Sequence, residues 1–210
     1  MIDARKDRSG ATSDLRKRSI IDIAVTVFMR RGYAGASTRE IAEECRLKQG
    51  HLYYYFPAKR DILYAIVTEL HDSFLDGIDH WSVNADEDPV NRLRATLTGH
   101  VSLLCQKYEE TFVSYENFRF LESDLRTNIV RKRQRYERRL HEMIEACGPR
   151  VLSIPGSVVT KAVLGVVNWP YQWYSPSGST PVSSLAEWLA ELGISTLGLA
   201  EKGGYIYPQV

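Results

Sequence analysis

Hydrophobic positions along this chain recur at helical spacing, not in alternation. Ile20, Ile21, Ala24, Val25 and Phe28 form one stripe, with Arg16, Lys17, Asp22 and Arg30 on the other face, which predicts a helix from about Leu15. Arg30 and Arg31 suit its C-terminus, and Gly32 suits a left-handed residue just beyond. A short helix is predicted from Ser37 or Thr38, either of which can cap it, with Glu40 placed as in a capping box. Ile41, Ala42 and Cys45 supply its inner face. A third helix is predicted from about Lys48 to Tyr55, ending at Phe56-Pro57 because the residue before proline avoids the helical region.

The rest of the chain continues the pattern. Helices are predicted over about 58–81, 89–107, 111–121 and 122–147, then from Pro155 into 168–174, and finally over about 181–201. Residues 82–89 and 175–181 are polar or turn-rich breaks, and Gly148-Pro149 is a stop. No stretch alternates for long enough to make a strand, and no repeat at solenoid periods is present. The expected fold is all-α with about nine helices: a flexible basic arm over 1–14, a three-helix domain over 15–57 and a larger helical domain over 58–210.

Composition narrows the class. Hydrophobic residues at 44% and charged residues at 25% exclude a disordered or fibrous chain. No apolar run approaches the ~18 residues a membrane span needs, and no apolar segment follows the N-terminal charges, so neither a span nor a secretory signal is expected. Cys45, Cys105 and Cys147, odd in number and without a CxxC pair, read as reduced thiols in the cytoplasm. The net charge of +1 conceals a division. Residues 1–60 hold 13 of the 27 basic side chains and 7 of the 26 acidic ones, a balance of +6 that leaves −5 for the remainder. A basic front end on an acidic body points to a polyanion met by the first segment.

The chain has no GxSxG elbow, HExxH, phosphate loop or zinc-type Cys/His spacing, so no catalytic residue, metal ligand or cofactor is expected and an enzyme is disfavoured. The informative stretch runs from Gly32 to Lys59. Two short helices joined by a tight turn form a helix-turn-helix, whose second helix fits a major groove about 12 Å wide. Phe28, Gly32-Tyr33, Thr38-Arg39, Ile41-Ala42, Leu47, Gly50, Leu52-Tyr53-Tyr54-Tyr55-Phe56 and Lys59 together resemble the DNA-binding domain of the TetR family of bacterial transcriptional regulators.

The resemblance implies a repressor that binds pseudo-palindromic double-stranded operator DNA as a homodimer, held together by its last two helices and released by a small-molecule effector. It implies that Thr38 bonds a phosphate at a helix N-terminus and that Arg39 meets phosphate or a base edge. Lys48, Gln49 and His51 are the expected base readers, with Gly50 admitting the backbone to the duplex. Tyr53, Tyr55 and Lys59 are expected at phosphates, and Tyr54 is a candidate for the core. Two positions depart from the family: Arg46 stands where a left-handed glycine is usual, and Lys48 where a serine N-cap is usual. Each change costs of order 1 kcal/mol and adds a positive charge beside the groove.

In the second half, Glu116-Asn117 with Arg119-Phe120, Arg133 with Tyr136-Glu137, and Asn168-Trp169 with Trp173-Tyr174 resemble the branch of the family that responds to acyl-CoA thioesters. That resemblance implies an aromatic-lined pocket containing Arg119, Asn168, Trp169 and Trp173. Gln172 stands where a basic residue is common. The same aromatics also fit a core and dimer interface, and the basic run from Arg131 to Arg139 fits a solvated helix face. A drug-like or aromatic effector, or a DNA-binding protein without an effector, remain as alternatives.

Overall fold

A computed structural model describes residues 3–83, 88–148 and 154–199. Among these residues there are nine α-helices and no strand. They are α1 (Asp3–Gly35), α2 (Thr38–Glu44), α3 (Gln49–Tyr55), α4 (Lys59–Val83), α5 (Pro89–Gln106), α6 (Tyr108–Asn117), α7 (Ser123–Ala146), α8 (Gly156–Asn168) and α9 (Val182–Ser195). Short 3-10 turns follow α6 at Phe118–Phe120 and α8 at Trp169–Gln172. The all-α expectation holds, and the apolar stripes set the helix positions.

The expected arm differs from the observed chain, because α1 begins at Asp3. Absence of an apolar stripe removes the packing signal without removing helix propensity. Ala4, Arg5, Lys6 and Arg8 are residue types of good intrinsic helix propensity. Gly32 breaks the helical path with φ 68° and ψ 157°, a conformation that L side chains rarely adopt. The break turns Tyr33 inward, where its ring meets Phe28 edge-on at 5.2 Å.

The chain divides into two compact units, Met1–His71 with Glu109–Val130, and Asp72–Tyr108 with Arg131–Val210. This division differs from the expected boundary at 57/58. The first unit's core joins Ile20, Ala24 and Phe28 of α1 to Ile41, Leu52 and Phe56, to Ile62 and Ile66 of α4, and to Val113, Leu121 and Ile129. Burial against a shared core, not sequence adjacency, therefore makes 109–130 part of the helix-turn-helix unit. The Tyr33 ring lies 5.0 Å from that of Phe120, tilted by 34°, and Arg60 reaches Glu122 at 2.5 Å.

In the second unit α5 packs against α8 and α9. A β-carbon on Gly193 of α9 would lie 3.0 Å from Leu97 and 3.5 Å from Val163, so the glycine permits close approach of three helices. His100 of α5 is buried, with Nδ1 2.7 Å from the Tyr136 hydroxyl and Nε2 3.2 Å from Asn168 Oδ1. Burial pushes the imidazole down to about 4 from its ordinary 6.5, against the opposing pull of Asn168, so it is neutral at physiological pH. All three cysteines carry free thiols.

Candidate nucleic-acid interface

The interface is assembled on α2 and α3. Ser37, extended at φ −117°, caps α2 by accepting from the Glu40 N–H at 3.1 Å. The Glu40 carboxylate is engaged by Arg30 and Arg31, fastening α2 to the end of α1. Helix α2 then ends in a Schellman arrangement. The Arg46 N–H donates to the Glu43 carbonyl at 3.0 Å, and the Leu47 N–H donates to the Ala42 carbonyl at 2.8 Å. Arg46 occupies the left-handed position at φ 55°, the only such non-glycine among the described residues. Lys48 precedes α3 without a side-chain cap. Both departures noted in the sequence thus sit at the turn between the two helices.

Leu52 and Phe56 anchor α3 in the core, which fixes the face that it offers outward. Lys48, Gln49, Gly50, His51, Tyr53 and Tyr54 are all exposed. Tyr54 is 81% exposed, whereas Tyr55 is partly buried against the first unit's core. This reverses the expected roles of the two tyrosines. Tyr55 lies three residues after Leu52 and shares its face, while Tyr54, two residues on, points away. That spacing was readable in the sequence.

Thr38 and Tyr53 come together across the two helices, their hydroxyls 3.1 Å apart, and Gln49 Nε2 donates to the Tyr53 hydroxyl at 3.3 Å. Three side chains expected at DNA therefore form one exposed polar cluster at the N-terminal ends of α2 and α3. Arg39 is exposed and pairs with Glu43 one turn on, at 2.9 Å. A β-carbon on Gly50 would meet nothing within 4 Å, so no contact inside the chain demands glycine there.

Lys59 departs from expectation. Its ammonium donates to the carbonyls of Tyr33 and Ala36, both at 2.7 Å, and lies 4.5 Å from the centre of the Tyr33 ring. Partial burial lowers its pKa below the ordinary lysine value. The side chain ties the start of α4 to the end of α1, a use that its place at a helix N-terminus hid from sequence reasoning.

The four expected effector residues fall differently. Arg119 belongs to the first unit, where its guanidinium is 5.1 Å from the centre of the Phe120 ring. Asn168, Trp169 and Trp173 belong to the second. Of these, Asn168 reaches the buried His100, but Trp169 and Trp173 are 60% and 52% exposed. The 3-10 turn directs Pro170 and Tyr174 inward and leaves both indoles on the surface, so as placed they are not walls of an enclosed pocket.

Known proteins resemble both halves of the chain. Residues 20–66 match the profile of bacterial regulatory proteins of the tetR family, and residues 86–197 match that of the Tetracyclin repressor-like, C-terminal domain. HbdR of Aromatoleum sp. (strain CIB), an HTH-type transcriptional regulator, is 26% identical over 132 residues, which is 63% of this chain and 57% of HbdR. IcaR of Staphylococcus aureus, a negative transcriptional regulator of a biofilm operon, is 29% identical over 101 residues, 48% of this chain and 54% of IcaR. The chain thus spans little more than half the length of these curated relatives. Among solved structures, AibR in complex with isovaleryl coenzyme A and operator DNA superposes with a TM-score of 0.74 at 26% identity, covering 84% of this chain and 97% of AibR. The TetR-family regulator PfmR of Thermus thermophilus shares the fold at a TM-score of 0.77 and 22% identity, covering 87% of this chain and 99% of PfmR. With profiles matched in both halves and this arrangement of helices, the chain belongs to the TetR family of bacterial transcriptional regulators.

Proposed function

We propose that this protein is a homodimeric, effector-responsive transcriptional repressor that reads a pseudo-palindromic operator through α3, one half-site per subunit. The observation that carries the reading is the outward face of α3. Lys48, Gln49, Gly50 and His51 stand clear of the core beside the Thr38–Tyr53 hydroxyl pair, with Arg46 at the adjoining turn. Lysine reads guanine acceptors, glutamine pairs with adenine, and hydroxyls fix the register on phosphates. Tyr54 joins this surface, Lys59 acts in it by bracing α4, and Tyr55 supports it from beneath.

The proposal assigns a regulator and not an enzyme to the cytoplasm. Its support is that the relatives named above are regulators and that, among the described residues, no helix is long and apolar enough to cross a membrane. Dimerisation through α8 and α9 is supported by exposed apolar side chains on both helices, Val158 on α8 and Trp188 with Leu192 one turn apart on α9. For the effector, the relative bound to isovaleryl coenzyme A supports an acyl-CoA. The exposed indoles of Trp169 and Trp173 favour a second reading, a smaller aromatic or drug-like molecule.

Operator selection from random duplexes, followed by fluorescence anisotropy, tests the DNA reading. Gln49→Ala is expected to relax preference at one position of each half-site, by about 1–3 kcal/mol of discrimination. Gly50→Ala is expected to leave thermal stability unchanged or slightly raised while weakening binding. No enrichment of any duplex in dilute salt would overturn the proposal.

A further inference from the structure

Thr38, Tyr53 and Gln49 form a chain of neutral polar groups that crosses from α2 to α3. Gln49 Nε2 donates to the Tyr53 hydroxyl at 3.3 Å, and the Tyr53 and Thr38 oxygens lie 3.1 Å apart. A hydroxyl carries one proton and accepts through its lone pairs, whereas an amide has a donor end and an acceptor end. Neither hydroxyl is needed to build its helix. Ser37, not Thr38, caps α2 through the Glu40 N–H, and Leu52 and Phe56 anchor α3 in the core.

We propose that Tyr53 is a positioning residue: its hydroxyl relays the seating of a DNA phosphate at Thr38 into the orientation of the Gln49 amide, and so sets the base that Gln49 prefers. The inference rests on the operator reading above. Its direction follows from a count of protons. A phosphodiester oxygen only accepts, so Thr38 gives it the one proton that its hydroxyl holds. Thr38 is then left to accept from Tyr53, which commits the phenolic proton. Tyr53 in turn is left to accept from Gln49, which holds Nε2 toward the phenol. The second N–H of that amide and Oε1 then face outward side by side, the pattern that pairs with N7 and N6 of adenine. With either hydroxyl removed, nothing fixes the amide. Turned over, it presents a donor where Oε1 had stood, and guanine O6 is accepted as well.

The test is competition anisotropy on the full chain, with the selected operator and its single-base variants at the position that Q49A relaxes. Y53F is expected to lower the preference for adenine over guanine there about tenfold. The Q49A/Y53F double change is expected to lower it no further than Q49A alone, because the two residues act as one unit. T38V, on the other helix, is expected to weaken every duplex and also to lower that same preference about tenfold, whereas T38S retains it. Thermal unfolding checks that the variants fold; should T38V unfold, Y53F and the double change decide. An unchanged base preference in Y53F or in folded T38V, or additive effects of Q49A and Y53F, would overturn the relay while leaving the operator reading in place. So would a base other than adenine at that position, or no position relaxed by Q49A. Failure to select any duplex would overturn both.

Discussion

Arg46 and Lys59 show how single side chains serve the interface in ways their types alone do not announce. Arg46 holds φ 55°, a conformation that costs a side-chain-bearing residue of order 1 kcal/mol. Arg46→Gly is therefore expected to raise stability by about that much in urea titration, while removing a charge next to the operator and weakening binding in anisotropy. Stabilisation with unaltered operator affinity would show that the arginine has no role at DNA. For Lys59, the two accepted carbonyls predict a structural loss. Lys59→Ala leaves the Tyr33 and Ala36 oxygens without the ammonium and is expected to lower stability by about 1–3 kcal/mol. The slope of operator affinity against salt should hardly change, whereas a direct phosphate contact would lower it by about one.

At the scale of elements, α5, α7 and α8 meet through a polar knot in an apolar interior: His100, Tyr136 and Asn168, with the Phe74 ring 4.6 Å from the imidazole. In the unfolded chain the imidazole takes up a proton near pH 6.5, whereas burial delays this to about 4 in the folded one. Between those values the unfolded state binds more protons, so the contribution is whole above pH 6.5 and declines as pH falls toward 4. The decline approaches about 1.4 kcal/mol per unit. Chemical denaturation across this window should show it, and His100→Gln should flatten it. An identical pH profile in the variant would assign acid sensitivity to other groups. The 3-10 turn after α6 packs Phe120 on Tyr33 within the DNA-binding unit, so the corner between α6 and α7 is as directly joined to that unit as α4 is.

For the whole molecule, the proposed repressor works only if two copies hold their α3 helices one helical turn of DNA apart. Trp188 is 57% exposed on α9, in a helix whose other face is buried. Trp188→Glu places a charge in the proposed interface. Sedimentation should then report monomers, with operator affinity reduced far more than any α3 substitution achieves, since each half-site alone contributes little. A variant that remained dimeric would move the interface elsewhere.

Much of this protein was legible as a string. Helix number and placement followed from 3.6-residue stripes, because burial of a continuous apolar face is what stabilises each helix. The helix-turn-helix was readable because its turn and its outward residues are local in sequence. Even the left-handed Arg46 could be placed through the resemblance of this turn to the family's, where glycine is usual. What only the tertiary structure decided are the partnerships between distant residues: Lys59 turned onto carbonyls of α1, 109–130 joined to the first unit, and Trp169 and Trp173 left outside. Periodicity states which face of a helix is buried, but the neighbour it is buried against is chosen by packing among helices far apart in the chain.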